Sequence, residues 1–266
     1  MMGQQALVRR GAAAMAVAAA CGWAGSMTPA MAADRVGPAT SRPVANKVQP
    51  MTAQRGPVAA PPRKIDCRKV KCIALTFDDG PVSGTGKLLK TLAARHVRAT
   101  FFLVGRNAKA HPDMVRRELA AGHEVGNHSY THADLSRLSS TQIKSEITKT
   151  QKAIHAASGF TPKLMRPPYG ATNSRVATVT KRLGMPQIIW AVDPLDWRDR
   201  NSKTVENRVV SHARPGYIVL MHDIHPTTVN AVPRIISRLA AKGYVFVTVS
   251  ELFANHLTPG KRYAKR

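Results

Sequence analysis

Aromatic residues are scarce in this 266-residue chain: Phe, Trp and Tyr together make up 5% of it. Acidic residues are scarce beside basic ones, 15 Asp and Glu against 40 Lys and Arg, and the formal net charge is +25. The first scarcity restricts the reading of the second. A nucleic-acid binder gathers Lys and Arg on one face with aromatics between them. Here the basic residues are spread along the whole length and few rings accompany them, so no nucleic-acid partner is expected. An anionic extracellular surface such as a cell wall suits this charge better. A general Arg- and Ala-rich compositional habit would produce the same excess.

Long apolar runs are also lacking. The most apolar stretch, Gly11 to Ala20, follows Arg9-Arg10 and is too short to span a bilayer, which needs about 20 residues. With Ala30-Met31-Ala32 downstream it has the layout of a secretory signal, so residues 1–32 are expected to be removed. Ala19-Ala20-Cys21 is a weaker, lipoprotein-like processing site. The expected location is secreted, extracellular or cell-wall associated, with no stable membrane insertion after cleavage. The chain has three cysteines, and loss of Cys21 leaves Cys67 and Cys72. In an exported protein two cysteines so close are expected to be joined, and no second pair exists to complete a metal site.

Residues 33–66 are rich in Ala, Pro and basic residues without apolar periodicity, and read as a disordered linker. From Cys67 the pattern changes. Short apolar runs at 73–77, 99–104, 123–126, 163–165, 186–191, 217–221 and 244–249 read as strands. They alternate with helical patterns near 84–95, 112–121, 139–158, 173–183, 203–212 and 227–241. Repeated β–α alternation predicts a parallel sheet with outer helices. The number of units suits a closed or nearly closed barrel, with an open doubly wound sheet as the alternative. The domain is expected over 67–258, followed by a basic tail at 259–266. No phosphate loop is present, because Ser83-Gly84-Thr85-Gly86-Lys87 lacks the required spacing.

The polar clusters fall just after strands, where barrels of this type carry their sites. Asp78-Asp79 ends the first strand, and Asn127 to His132 follows the third. Arg166-Pro167-Pro168-Tyr169-Gly170, Asp193 to Trp197, and Met221-His222-Asp223-Ile224-His225 follow later ones. Two adjacent carboxylates repel unless a cation or donor compensates. His128 and His132 lie four apart, and with one carboxylate they make a three-ligand set with an open fourth position, the pattern of a catalytic zinc. Asp79 is the natural third ligand, which leaves Asp78 as a base. Read singly, each of these residues would be an ordinary turn aspartate or hydrogen-bonded histidine. Trp190 reads as core, and His225 as serving its own loop.

Taken together, TFDDGP (76–81), HSYTH (128–132), RPPYG (166–170), DPLDW (193–197) and LMH (220–222) resemble the five motifs of the polysaccharide deacetylases of the NodB-homology type, carbohydrate esterase family 4. The resemblance spans roughly 70–256. It implies a distorted (β/α) barrel with its active site at the C-terminal ends of the strands. It also implies one divalent metal, zinc or alternatively cobalt, and hydrolysis of N-acetyl groups on cell-wall or chitin-type glycans. By resemblance Asp79, His128 and His132 hold the metal, Asp78 is the general base and His222 the general acid. Arg166 would pair with Asp78, and Asp196, with Asp193 as second choice, would orient His222. The Tyr169 backbone N–H would face the oxyanion, and Trp197 and Leu220 would form a slot for the acetyl methyl. The polysaccharide is the expected partner of a monomer. Removal of O-acetyl groups, as by an acetyl xylan esterase, and a non-enzymatic glycan-binding barrel are the alternatives.

Overall fold

The computed structural model describes residues 63–266. The expected signal segment 1–32, and the linker up to residue 62, lie outside the described residues. Among the described residues no helix is long and apolar enough to cross a membrane.

A disulfide between Cys67 and Cys72 closes a tight loop at the entry to β1 (Lys71–Asp78). β1 is buried along nearly its whole length, because helices cover the sheet's outside and side chains fill its inside. The period of two sorts its residues. Ile73, Leu75 and Phe77 join the large outer core, while Cys72 and Ala74 belong to the inner cluster with Phe102, Ile188 and Ile218. Thr76 and Asp78 are therefore set on the inner face.

The remaining elements follow the expected alternation in outline, although at three places one α-helix follows another with no strand between them. They are α1 (Thr85–Ala94), β2 (Thr100–Leu103), α2 (Gly105–Ala110), α3 (Pro112–Ala120), β3 (Glu124–Asn127), α4 (Ser140–Ser158), α5 (Ser174–Arg182) and β4 (Gln187–Ile188). There follow α6 (Asp196–Asp199), α7 (Ser202–His212), β5 (Ile218–His222), α8 (Pro226–Ala241), β6 (Tyr244–Phe246), α9 (Val249–Leu252) and β7 (Arg262–Tyr263). The strands β3-β2-β1-β5 form a parallel sheet, with β6 also pairing parallel to β1. Between β3 and β5 the ladder thins to single parallel bridges, Asn127–Met165, Met165–Gln187 and Val192–Val219. The fold is thus a parallel α/β barrel, distorted on that side.

The expected strands at 163–165 and 186–191 shrink for this reason. The first survives as the bridge at Met165, and the second as two residues of β4. The segment expected as a free basic tail is paired instead. Gln187 N–H donates to Lys261 O and Ile189 N–H to Tyr263 O, both at 2.8 Å, so β7 extends the sheet beside β4. Its Arg and Lys side chains hide a strand whose one apolar anchor, Tyr263, packs edge-on against Phe253.

α4 shows why its ends are where they are. Ser139 accepts from Gln142 N while Gln142 accepts from Ser139 N, a reciprocal cap, and Gly159 ends the helix in the left-handed region at φ 75°. Ile143, Ile147, Thr150 and Ile154 form its buried stripe.

Candidate active site

Asp78 is the last residue of β1 and stands in register with His222 of β5, so the two strand ends meet directly. Asp79 follows at φ 74°, a left-handed conformation that is uncommon outside glycine. That turn breaks the strand's alternation, and both carboxylates line one cavity of about 360 Å³. His128, His132, Tyr169 and His222 line it too, as do Trp197 and Leu220.

Asp78 is 2% exposed and receives a 2.7 Å hydrogen bond from Arg166 Nη1. Arg166 is fully buried and threads the barrel interior. It also donates to Thr76 Oγ1, Ile188 O and Ile189 O, and its guanidinium lies 4.2 Å from the Phe102 ring centroid. Burial pushes Asp78 above the ordinary carboxylate range, against the opposing pull of Arg166. The pair therefore forms as expected, but its result is a more basic carboxylate rather than a strongly acidified one.

The His loop is held from both sides. Ser129 and His132 each adopt φ 62°. His128 Nδ1 lies 2.7 Å from Arg166 O. A carbonyl can only accept, so that nitrogen carries the proton and Nε2 presents its lone pair. Burial lowers the His128 pKa to about 3, so the ring is neutral near pH 7. Its Nε2 lies 3.5 Å from Asp79 Oδ1, and His132 Nε2 lies 3.2 Å from the same oxygen. The three ligand atoms fall within 4.8 Å of one another. Asp79 Oδ1 is buried with no hydrogen-bond partner. A buried, unsatisfied carboxylate oxygen facing two imidazole nitrogens fits a divalent cation, and this donor set suits one.

On the opposite wall, Asp196 is fully buried and engages His222 twice. Asp196 Oδ1 meets His222 Nδ1 at 2.8 Å, and Oδ2 accepts from His222 N at 2.8 Å and from Thr228 Oγ1 at 2.7 Å. Burial alone would lower the His222 pKa. The Asp196 hydrogen bond and charge, helped by Asp78 and Asp79, reverse this and raise it to about 9. Asp193 lines the cavity but accepts from Leu195 N, two residues on. Geometry thus puts Asp196, the first choice from the sequence, against His222, and Asp193, the second choice, against its own loop.

Trp190 differs from expectation. It lines the cavity instead of the core, because β4 ends at Ile188 and the chain beyond it no longer alternates. Tyr169, at φ 60°, is 68% exposed, and Trp197 is 47% exposed, so aromatic surface flanks the entrance. His225 Nδ1 accepts from Arg200 Nη1 at 2.8 Å while Arg200 Nε donates to Trp197 O, which ties the two loops together.

Sequence reading missed the loop's supports. Glu146 Oε2 accepts from both Tyr130 N and Thr131 N at 2.8 Å. Asn127 accepts from Ser129 N and donates to Ile147 O, each at 2.9 Å. Asn107 Nδ2 donates to Asp79 O at 2.7 Å. One signal was available: Glu146 interrupts the apolar stripe of α4 between Ile143 and Ile147.

Fold and cavity define a distorted parallel α/β barrel with a His₂–Asp set that could hold a cation. A carboxylate–guanidinium pair stands on one side of that site and a histidine–carboxylate pair on the other. A family model described as polysaccharide deacetylase matches residues 66–188. The peptidoglycan-N-acetylglucosamine deacetylase PgdA of Listeria monocytogenes is 46% identical over 194 residues, which are 73% of this chain and 41% of that protein. The solved T48 deacetylase with substrate superposes with a TM-score of 0.72 at 40% identity, covering 75% of this chain and 99% of that one. A family 4 carbohydrate esterase from Streptomyces lividans in complex with acetate gives a TM-score of 0.66 at 40% identity, covering 74% and 98%. The chain belongs to the polysaccharide deacetylase family, among the carbohydrate esterases of family 4. It spans about two fifths of the length of the Listeria relative.

Proposed function

We propose that this protein is an exported, zinc-dependent deacetylase. It would hydrolyse the N-acetyl groups of N-acetylglucosamine units in peptidoglycan- or chitin-type glycans and release acetate. One observation carries the reading: three cation ligands, a buried base and an oriented acid converge on one cavity. The name of the Listeria relative supports a peptidoglycan substrate, and the excess of positive charge supports an anionic wall.

A cation held by Asp79, His128 and His132 would supply Lewis-acid polarisation of the acetyl carbonyl and acidify water. Asp78 takes the proton from the attacking water, and burial makes it the better base. The Tyr169 backbone N–H donates to the carbonyl oxygen as it gains charge. His222 holds its proton on the Asp196 side through Nδ1, and its Nε2–H gives a proton to the amine as the C–N bond breaks. Without that proton the amine would leave as an amide anion. Trp197 and Leu220 line the wall that receives the methyl.

Acetate release from peptidoglycan, N-acetylglucosamine oligomers and acetylated xylan tests this, with zinc supplied and then chelated. Release from the first two is expected, with Asp78→Asn slowed by about 10²-fold or more. Release from xylan alone would move the activity to O-acetyl groups. No release from any of them would overturn the enzyme reading.

A further inference from the structure

A second concavity, of about 540 Å³, lies on the outer helices. Its floor is small and apolar: Ala108 from α2, Pro112 at the start of α3, and Ala153 and Ala156 from α4. Lys109, Lys149 and Lys152 stand exposed around it. Among the described residues no acidic side chain lines it, and no ion pair engages these three lysines. Arg116, which donates to Ala157 O at 2.9 Å, adds a further cation at the end of α4. Tyr130 forms one wall. Its ring is packed over Gly105, where a Cβ would come within 2.6 Å of Tyr130 Cδ2 and 2.7 Å of Thr150 Oγ1. The ring is thus a fixed part of the groove.

The lining restricts what can occupy it. The floor is made of methyl groups and a proline ring on helices whose backbone bonds are already internal, so it offers no edge for an extended peptide to pair with. A shallow floor of small residues beside one rigid aromatic ring suits the C–H face of a sugar ring, which gains dispersion contacts without needing hydrogen-bond partners. Three unpaired ammonium groups on the rim call for negative charge on that sugar or its substituents. The volume lies within the usual range of ligand sites, about 300–1,000 Å³.

We propose that this groove is a second, non-catalytic docking site for a carboxylate-bearing glycan, namely a peptidoglycan strand with its acidic peptide stems. The inference deepens the proposed function and rests on it for the choice of polymer. Stems carry carboxylates at intervals along a sugar backbone, which matches lysines spaced around an apolar floor. The site would hold the protein on the wall while the catalytic cavity works on a neighbouring unit.

Co-sedimentation with purified sacculi, stripped of phosphate polymers, tests it in the Asp78→Asn background so that turnover does not change the matrix. Combined Lys109→Glu, Lys149→Glu and Lys152→Glu should weaken binding about tenfold or more. Amidation of the stem carboxylates should weaken binding of the parent to the same extent. A control with Lys64→Glu, Lys90→Glu and Lys242→Glu carries the same net charge and should bind like the parent. The proposal is overturned if the groove variant binds like the parent. It is equally overturned if the control loses as much, or if the loss appears only on walls that retain phosphate polymers. With Asp78 restored, the groove variant should match wild type on a short soluble N-acetylglucosamine oligomer. Absence of acetate from every substrate would sink the proposed function while leaving the binding difference readable.

Discussion

Asp78 and Asp79 are neighbours in sequence with opposite environments. Asp78 keeps the strand's inward direction and meets a guanidinium, while Asp79 turns out of the strand at φ 74° and meets two imidazoles. The pair was legible because the strand, the carboxylates and the Gly-Pro stop are contiguous. The preference for Asp196 over Asp193 came through the family resemblance and not from the residues alone, since it depends on which carboxylate reaches across to β5. His222 carries the sharpest consequence. Its pKa is raised to about 9, so the acid form is present at neutral pH and is lost as pH rises through that value. Asp196→Asn removes the charge that opposes burial. The alkaline limb of kcat/KM should then fall below the ordinary histidine value of about 6.5, with activity at pH 8 reduced about tenfold or more. A pH–rate profile together with an NMR titration of His222 reads this. An unmoved limb would show that Asp196 does not set the proton affinity.

At the scale of elements, the His128–His132 loop depends on a helix that contributes neither of its two histidines. α4 receives Tyr130 N and Thr131 N on Glu146, and Ile147 O receives the Asn127 amide. The loop contains two non-glycine residues at positive φ, Ser129 and His132, and such conformations persist only where the surroundings enforce them. Glu146→Ala is expected to weaken binding of a divalent cation by about 10–100-fold, as loss of a support behind the ligands does. Glu146→Gln keeps an acceptor and should fall between. Competition with a chelator measures the affinity, and amide hydrogen exchange at 128–132 should rise in parallel. Unchanged affinity with unchanged exchange would remove α4 from this role. The helix itself was readable from its caps and stripe. Its service to the loop was not, because one acidic residue on an apolar stripe reads first as a surface position. Short elements fared worse for a related reason. α2 has six residues, and α6 and α9 have four each, so none fills a period long enough to be detected.

For the whole molecule, the alternation of strands and helices was sufficient to read a parallel barrel, yet its irregular side escaped the pattern. Where the ladder thins between β3 and β5, the C-terminal segment takes up backbone groups that a regular neighbour would have used. Lys261 O and Tyr263 O accept from Gln187 and Ile189, Ala264 O accepts from Ile218 N at 3.3 Å, and Arg266 N donates to Gly216 O at 2.8 Å. This strap therefore touches both edges of the thinned region, beside the segment that carries Trp190 into the cavity. Truncation after Pro259 leaves the N–H groups of Gln187, Ile189 and Ile218 and the carbonyl of Gly216 without these partners, and removes the Tyr263–Phe253 contact. At about 1 kcal/mol for each lost hydrogen bond, the cost is roughly 4 kcal/mol before the aromatic contact is added. For a domain of this size that corresponds to a melting temperature lower by about 10 °C. Because Ile188 O and Ile189 O also hold Arg166, the loss should reach the catalytic cavity as well, lowering kcat in protein that is still folded at 25 °C. Calorimetry and turnover on the truncated chain test both parts. A truncated protein with unchanged melting temperature would mean that the barrel closes without its strap.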